Sequence, residues 1–220
     1  MSLANGSLNR RGLMLVLSSP SGAGKSTLAN LLLSDEDKLV LSISATTRAK
    51  RSTEQDGVHY HFLDKLTFEN RIKEGKFLEW AQVHDNYYGT PKDVVEQSLA
   101  NGNDVLFDID VKGKRQLSEK MPDDVVSIFI MPPSVAEMHN RLTKRAEDSE
   151  EAIKRRMQTA VSEVEAWQAY DYVLVNDRLS ETLEQIKAIL RAERQKRTRQ
   201  QGLLNEMSTF IEDLKKKISQ

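Results

Sequence analysis

The sequence contains no cysteine and no long hydrophobic run, and its charges almost cancel. The absence of cysteine excludes disulfide bonds and thiolate metal sites, and it is consistent with a reducing cytoplasm. Since no apolar stretch approaches the length of a membrane span, we expect no membrane partner. Lysine and arginine number 32 against 33 aspartate and glutamate residues, so the net charge of -1 gives no reason to expect a nucleic-acid partner. We therefore expect a cytoplasmic protein.

A chain of 220 residues is long enough for one domain with a sizeable core. Strands of the fully buried type alternate with helices, which is typical of an α/β fold with a parallel sheet. Continuous apolar runs predict buried strands at 13–18, 39–44, 104–110, 125–131 and 171–176. We expect the first residues, "MSLANGSLNRRG", to be a disordered tail outside this fold.

Helices are predicted from their start and stop signals. Ser134 and Glu137 have the spacing of a capping box, and Pro91 opens a helix that closes near Gly102. The predicted helices cover 25–33, 67–75, 91–102, a segment from 134, 149–168 and the chain from 179 onward. Shorter strand-like segments at 58–63 and 77–83 have polar flanks, so the region 45–102 is interpreted as an insert in the parallel sheet.

The stretch "SSPSGAGKST", residues 18–27, nearly matches the phosphate-binding signature G-x-x-x-x-G-K-[ST], with Ser19 in place of the first glycine. A buried strand precedes it and a helix follows, as a phosphate loop requires. Lys25 can place a positive charge on the outer phosphates, and the Ser26 hydroxyl can reach Mg²⁺. The replaced glycine serves backbone conformation, so serine costs little there if its φ is negative. The alternative is an ordinary turn between a strand and a helix.

The phosphate loop alone indicates only that a nucleotide is bound, and three further groups of residues narrow what else the chain binds. Arg48 and Arg51 with Tyr60 could bind a second phosphate, although they could also belong to a solvated charged loop. Glu79 lies in an apolar strand, where a carboxylate is either on a solvated strand face or deliberately buried, and one carboxylate could accept both the N1–H and the N2–H of guanine. Asp108 and Asp110 end a buried strand beside the phosphate loop, where a carboxylate can hold a metal through water.

Arginines in the predicted hairpin after residue 134 form a third charged group. Arg141 and Arg145 are four residues apart and therefore share a helix face, and Arg156 lies on the following helix. Positioned arginines stabilise the charge that develops during phosphoryl transfer. A solvated helix hairpin with surface arginines is the alternative.

Together these motifs resemble the guanylate kinase family of bacterial type. The resemblance runs through "SPSGAGKST", "SATTRAKRSTE", "FLEWA", "NYYGT", "DIDVKG" and "VND", and it covers roughly residues 12 to 195. It implies the phosphate-loop nucleoside monophosphate kinase fold in three parts. These are a parallel-sheet core (about 12–44, 103–133 and 169–199), a GMP-binding insert (about 45–102) and a helical lid (about 134–168). Lys50 and Thr53 depart from the family pattern, which usually has proline and glycine there.

The resemblance also implies an activity and a set of site residues. The reaction is transfer of the γ-phosphoryl group of ATP to GMP or dGMP with Mg²⁺, in purine nucleotide metabolism and GMP recycling. The implied catalytic residues are Lys25, Arg48, Arg141, Arg145 and Arg156. ATP is bound by Ser19, Pro20, Ser21, Gly22, Ala23, Gly24, Lys25, Ser26 and Thr27. GMP is bound by Ser44, Arg48, Arg51, Glu54, Tyr60, Glu79, Tyr88, Thr90 and Asp110. Mg²⁺ is held by Ser26 and, through water, by Asp108.

Two alternatives to this function stay open in the sequence. One is a kinase for another monophosphate such as AMP or dTMP, against which Glu79 argues, because adenine offers no adjacent donor pair on that edge. The other is a non-catalytic interaction domain of similar fold. Such domains lose phosphate ligands, whereas this chain keeps Lys25, Ser26 and the arginines.

The C-terminal stretch of about 200–220 lies beyond the resemblance and predicts an amphipathic helix. Its apolar residues recur every three or four positions, at Leu203, Met207, Phe210, Leu214 and Ile218. The helix could pack on its own domain or form a homo-oligomer contact, with a break at Gly202. The basic stretch before it, "RAERQKRTRQ", is interpreted as too polar to be core.

Overall fold

The structure is a computed structural model, and it describes residues 10–144 and 150–219. Within these residues the strands are β1 (Met14–Ser18), β2 (Leu39–Leu41), β3 (Ala45–Thr46), β4 (His61–Phe62), β5 (Phe77–Val83), β6 (Asn86–Pro91), β7 (Asp104–Asp108), β8 (Val125–Met131) and β9 (Tyr172–Val175). The α-helices are α1 (Lys25–Asp35), α2 (Lys65–Lys73), α3 (Lys92–Ala100), α4 (Val111–Lys120), α5 (Val135–Thr143), α6 (Glu150–Glu165), α7 (Leu179–Arg194) and α8 (Leu203–Ile218). Short 3₁₀ turns follow α6 (Ala166–Ala169) and α7 (Arg197–Arg199).

The larger sheet is parallel throughout and has the strand order β2-β7-β1-β8-β9. Because side chains alternate along a strand, β1 contributes buried side chains to both faces of the sheet. Leu15 and Leu17 pack with α1 and α7 on one face, whereas Met14 and Val16 pack with α3 and α4 on the other. A parallel sheet buried on both faces confirms the predicted α/β fold class.

The smaller sheet has the order β4-β3-β6-β5 and its own aromatic core. The rings of Phe68 and Phe77 stack with centroids 4.3 Å apart, and Tyr87 stacks on the other side of Phe68 at 5.4 Å. Helix α3 falls within the numbers assigned to the insert, yet its buried Val95 and Leu99 pack in the cluster of the parallel sheet. The region 45–102 therefore shares its last helix with the core.

Most predicted elements are confirmed, and the differences lie in short or weakly patterned segments. The strand predicted at 39–44 ends at Leu41, and only His61 and Phe62 of the segment 58–63 pair as a strand. The strands β3 and β6 and the helix α4 were not predicted. Helix α4 has few apolar positions and a glycine in its first turn, so its sequence shows no stripe. What starts the helix is Asp110, whose Oδ1 accepts from the backbone N of Gly113 at 2.8 Å.

The prediction that residues up to Gly12 form a tail outside the fold is wrong for Arg10 and Arg11. Arg10 donates to both carboxylate oxygens of the fully buried Asp104 at 2.7 and 3.0 Å, and Arg11 forms a two-bonded pair with Asp124 at 2.8 Å. A buried carboxylate requires such partners, because leaving it unpaired costs far more than ordering an arginine. Residues 1–9 lie outside the described part.

The interpretation of "RAERQKRTRQ" as too polar for the core is also wrong. Arg199 is only 5% exposed and Glu193 only 2%, and Arg194 pairs with Asp104 and Glu36 at 2.7 and 2.6 Å. The backbone N of Arg11 donates to the carbonyl of Arg199 at 2.8 Å. The polar side chains are thus buried in pairs with one another, which a hydropathy pattern does not reveal.

Helix α8 follows as predicted, and no residue of it whose side chain is described is fully buried. Gly202 lies at φ -81° and ψ -12°, an ordinary helical conformation, so the break before α8 does not depend on glycine. The turn is fixed instead by the contacts of Arg199 with the N-terminal segment. None of the described helices is long and apolar enough to cross a membrane.

Candidate active site

The loop between β1 and α1 has the backbone of a phosphate cradle. Gly22 and Gly24 lie at φ 86° and 91°, and a Cβ on Gly24 would come within 2.5 Å of Nδ2 of Asn176. Glycine is therefore required at these two positions. Ser19 has a negative φ, as its tolerance in the loop requires. Helix α1 begins at Lys25, so its unpaired backbone N–H groups face the loop and favour an anion.

Lys25 and Asp108 form an ion pair at the end of the parallel sheet. The register of β1 on β7 places Leu17 opposite Asp108, which brings the carboxylate beside the phosphate loop. The Asp108 side chain keeps 38% of its surface exposed, so water can reach it. Ser26 and Asp108 line one cavity together. The sequence-predicted residues Lys25, Ser26 and Asp108 are therefore brought together.

Glu79 lies on β5, an edge strand of the smaller sheet, and is 8% exposed. It pairs in register with Thr90 on β6, whose Oγ1 donates to Oε1 of Glu79 at 2.7 Å. Burial raises the pKa of the Glu79 carboxyl, opposed by its bond to Thr90. One oxygen of the Glu79 carboxylate is thus held by a hydrogen bond from Thr90.

The phosphate-binding candidates of the insert form a second cluster. The guanidinium of Arg48 donates to the two oxygens of Glu54 at 3.0 and 2.6 Å and lies 5.4 Å from the ring centroid of Tyr60. Tyr60 meets Tyr88 edge to face at 6.1 Å. Arg48 lowers the pKa of Glu54 to about 2, and the pair raises the pKa of Arg48. Arg51 contributes its backbone N to Glu54 at 2.9 Å, and its side chain is exposed.

Two cavities flank the phosphate loop. One, of about 270 Å³, is lined on the insert side by Ser26, Ser44, Tyr60, Thr90 and Asp108, among others. The other, of about 290 Å³, is lined by Gly22, Gly24, Thr27, Arg141, Asn176, Asp177 and Leu179. Ser26 lines the first cavity, whereas its neighbours Gly24 and Thr27 line the second, so the end of the loop and the start of α1 contribute to both.

The predicted lid arginines are only partly described. Arg141 on α5 donates from Nε to Glu137 at 2.8 Å, and its two Nη atoms lie 3.4 and 3.3 Å from the carbonyl of Asn176. Arg156 lies on α6 and is half-buried. Arg145 lies outside the described residues.

Sequence reasoning missed two residues that contact the loop. Asn176 is 3% exposed, donates from Nδ2 to the carbonyl of Ala23 at 2.7 Å, and buries an Oδ1 without a hydrogen-bond partner. The signal for it was the polar "VND" after a buried strand. Burial raises the pKa of the Glu163 carboxyl on α6, opposed by the charge of Lys25 and the backbone N–H of Ser21. Nothing in the pattern of α6 distinguishes Glu163 from its other charged residues.

A phosphate loop between a buried parallel strand and a helix is typical of phosphate-loop nucleotide-binding enzymes, and the sheet and its helices fit the phosphate-loop nucleoside monophosphate kinase fold of the solved structure described below. The family model "Guanylate kinase" matches residues 11–193, and the chain belongs to the guanylate kinase family of transferases. A guanylate kinase from Agrobacterium fabrum is 52% identical over 93% of both chains, and one from Rhodopseudomonas palustris is 50% identical over 98% of this chain and 97% of its own. The crystal structure of guanylate kinase from Anaplasma phagocytophilum superimposes with a TM-score of 0.70 at 40% identity, covering 91% of this chain and 95% of that one.

Proposed function

We propose that this enzyme transfers the γ-phosphoryl group of ATP to GMP, and more slowly to dGMP, in a Mg²⁺-dependent reaction that yields ADP and GDP. The observation that carries the proposal is the pair of cavities on the two sides of the phosphate loop, one of which is lined by Ser26 and by Asp108, the ion-pair partner of Lys25. The role that follows is recycling of GMP within purine nucleotide metabolism, and the cytoplasm is its expected location.

The insert side of the loop suits GMP. Arg48, Arg51, Tyr60 and Tyr88 supply positive charge and hydroxyl groups for its phosphate, and Glu54 lines the site and orients Arg48. Glu79, assisted by Ser44, Thr90 and Asp110, reads the base. Guanine offers N1–H and N2–H side by side to the carboxylate, whereas adenine would leave it buried and unpaired, which is costly.

The other side of the loop suits ATP. The backbone of Ser19–Thr27 cradles its phosphates, and the cavity beside Gly24 and Asn176 takes the remainder of the nucleotide. Arg141, Arg145 and Arg156 belong to the lid segment, from which they can approach the transferring group. The lid and the insert would close over the two anionic substrates and exclude water.

In the reaction an oxygen of the GMP phosphate attacks the γ-phosphorus in line, while the bond to the β-phosphate oxygen breaks and ADP leaves. The side chains supply position and positive charge, and none acts as a covalent nucleophile. Lys25, which pairs with Asp108 in this structure, would turn to the phosphates when nucleotide binds.

The residues present fit Mg²⁺. No group of three or more histidine, aspartate or glutamate side chains in the described part of the chain is arranged to hold a metal ion. A hydroxyl from Ser26 and the water-accessible carboxylate of Asp108 would instead hold it together with water and phosphate oxygens, which is the coordination that Mg²⁺ prefers. When bound, the ion neutralises charge on the phosphates.

The reaction is tested by following both products. Enzyme with ATP, GMP and Mg²⁺ should form GDP and ADP in equal amounts, and addition of a chelator should stop both. Formation of ADP without GDP would show hydrolysis of ATP rather than transfer, and GDP formation undiminished by the chelator would contradict the metal dependence.

We also propose that α8 forms a contact between copies of this chain. Met207, Phe210, Ile211, Leu214 and Ile218 are all exposed along one side of the helix. A stripe of this kind is costly to leave in water. The helix carries three acidic and three lysine residues, so it lacks the net positive charge of a membrane-surface helix and suits a second copy better.

A further inference from the structure

Strand β5, which carries Glu79, is the edge strand of the smaller sheet. Its pairing with β6 satisfies one side of the strand, so the backbone groups on the other side need partners from elsewhere. At Trp80, the residue next to Glu79, that partner is the side chain of Gln116 on α4. The backbone N of Trp80 donates to Oε1 of Gln116 at 3.1 Å, and Nε2 of Gln116 donates back to the Trp80 carbonyl at 3.1 Å.

A second side chain of α4 holds β5 on the other side of Glu79. Nζ of Lys120 donates to the carbonyl of Phe77 at 2.8 Å. The pairing of β5 with β6 shifts register between Phe77 and Glu79, which indicates a bulge just before the carboxylate. A bulge re-aims the side chain that follows it, so the direction of Glu79 depends on how the backbone is held there.

Helix α4 also begins at the other end of the site. Asp110 caps its first turn, and Asp110 follows Asp108 at the end of β7 beside the phosphate loop. The helix therefore connects the phosphate end of the site to the strand that bears Glu79. Leu117 on α4 packs with Leu78 in the core cluster, which fixes the helix against β5.

From these contacts we infer that Gln116 is a positioning residue for base recognition: its amide takes the place of a neighbouring strand at Trp80 and fixes the direction of the Glu79 carboxylate. Lys120 supports it from Phe77. The inference rests on the proposed function, since it assumes that Glu79 reads guanine. It concerns binding of GMP alone, because neither side chain contacts the ATP side of the loop.

The test uses the full-length enzyme with the substitution Gln116→Leu, which keeps the size of the side chain and removes both hydrogen bonds. KM for GMP should rise about tenfold or more, because displacement of a contact group by roughly 1 Å can cost up to 10²-fold. The kcat and KM for ATP should stay near wild type. The preference for GMP over IMP, which lacks the N2 amino group, should fall, since a misdirected carboxylate cannot meet both donors.

The matched control is Arg115→Leu, on the same turn of α4, where the arginine side chain is 81% exposed. It should leave all constants unchanged. If Gln116→Leu does not fold, Gln116→Glu replaces it: a carboxylate still accepts from the Trp80 N but cannot donate to the Trp80 carbonyl, so an intermediate rise in KM is expected.

An unchanged KM for GMP in the Gln116 variants would overturn the inference. A fall in kcat together with an equal rise in KM for ATP would also overturn it, because it would indicate a general structural role. Failure of the proposed function would look different, because the wild-type enzyme itself would then show no preference for GMP over other monophosphates.

Discussion

Ser19 stands where phosphate loops usually carry glycine, and the backbone explains why this is tolerated. The positive φ angles of the loop fall on Gly22 and Gly24, and Ser19 keeps a negative φ. A serine there meets no conformational penalty. The side chain of the loop that we propose to act on the phosphates is Lys25, whose ammonium forms an ion pair with Asp108.

We therefore expect Ser19→Gly to be nearly silent and Lys25→Met to lose most of the transfer activity. Removal of a charge aimed at the transferring phosphates costs on the order of 10²–10³ in kcat, as for other preorganised electrostatic groups. Steady-state kinetics with ATP and GMP measure both. A tenfold or larger change for Ser19→Gly would show that the serine hydroxyl has a role of its own.

The pH dependence of GMP use should report Glu79. Burial raises the pKa of its carboxyl, and the carboxylate form is the one that accepts from guanine. As the pH falls through this raised pKa, kcat/KM for GMP should decline, at a pH above the ordinary glutamate value of about 4.3. Glu54 does not produce this decline, because its pKa is lowered to about 2. In Glu79→Gln the part of the decline that belongs to Glu79 should disappear, whereas protonation of the GMP phosphate at about pH 6 should still lower kcat/KM. An unchanged pH profile in the variant would assign the whole decline to groups other than Glu79.

Much of the site could be predicted from the sequence, because its chemistry lies in short segments at the ends of strands. The phosphate loop, Asp108 and the Arg48 cluster are of this kind. Asn176 was missed since its contact with the Ala23 carbonyl joins positions 153 residues apart. Residue types and spacing identify which groups carry chemistry, whereas contacts across the sheet appear only in the folded chain.

At the scale of elements, the turn after α7 is fixed by buried polar pairs rather than by apolar packing. Glu193 accepts from the phenol of Tyr172 on β9 at 2.7 Å and pairs with Lys196 at 2.8 Å. Arg199 lies beside it, with its carbonyl bound to the N-terminal segment. Hydropathy and helical periodicity cannot reveal such a network, because each member looks like a surface residue in isolation. The same limitation explains why α4, with its short apolar side, was not predicted.

The substitution Tyr172→Phe tests this network. It removes a hydrogen bond to a charged group, which contributes about 1.5–3 kcal/mol to the free energy of unfolding, while the same carboxylate oxygen keeps Lys196 at 2.8 Å. The bond raises the pKa of Tyr172 to about 12, so its contribution is complete below the unfolded value of about 10 and is lost as the pH rises through 12. Urea unfolding at pH 8 should show the loss, with kcat/KM unchanged. Equal stability of the two proteins would contradict the account.

At the scale of the whole molecule, we expect α8 to be separable from the part of the chain that carries the candidate site. The family match ends at residue 193, and the active-site residues described above all lie before α8. Deletion of residues 201–220 should therefore lower the mass seen by light scattering and leave activity per folded subunit largely intact. A truncated protein of unchanged subunit number would exclude the contact. Loss of soluble protein would instead indicate that α8 packs on its own domain.

The central claim is that the site on the insert side of the phosphate loop binds GMP in preference to other nucleoside monophosphates. The most direct measurement is internal competition: ATP, Mg²⁺ and equal concentrations of GMP, dGMP, AMP, CMP, UMP and dTMP are incubated with the enzyme, and the diphosphates are quantified. The AMP is isotopically labelled, because every transfer also releases ADP from ATP. Their ratios give relative kcat/KM values free of differences between preparations. The account predicts GDP as the main product and dGDP as the second. In Glu79→Gln the preference for GMP over the other monophosphates should fall by up to about 10⁴. Equal or greater formation of ADP from added AMP, or of CDP, UDP or dTDP, by the wild-type enzyme would contradict it.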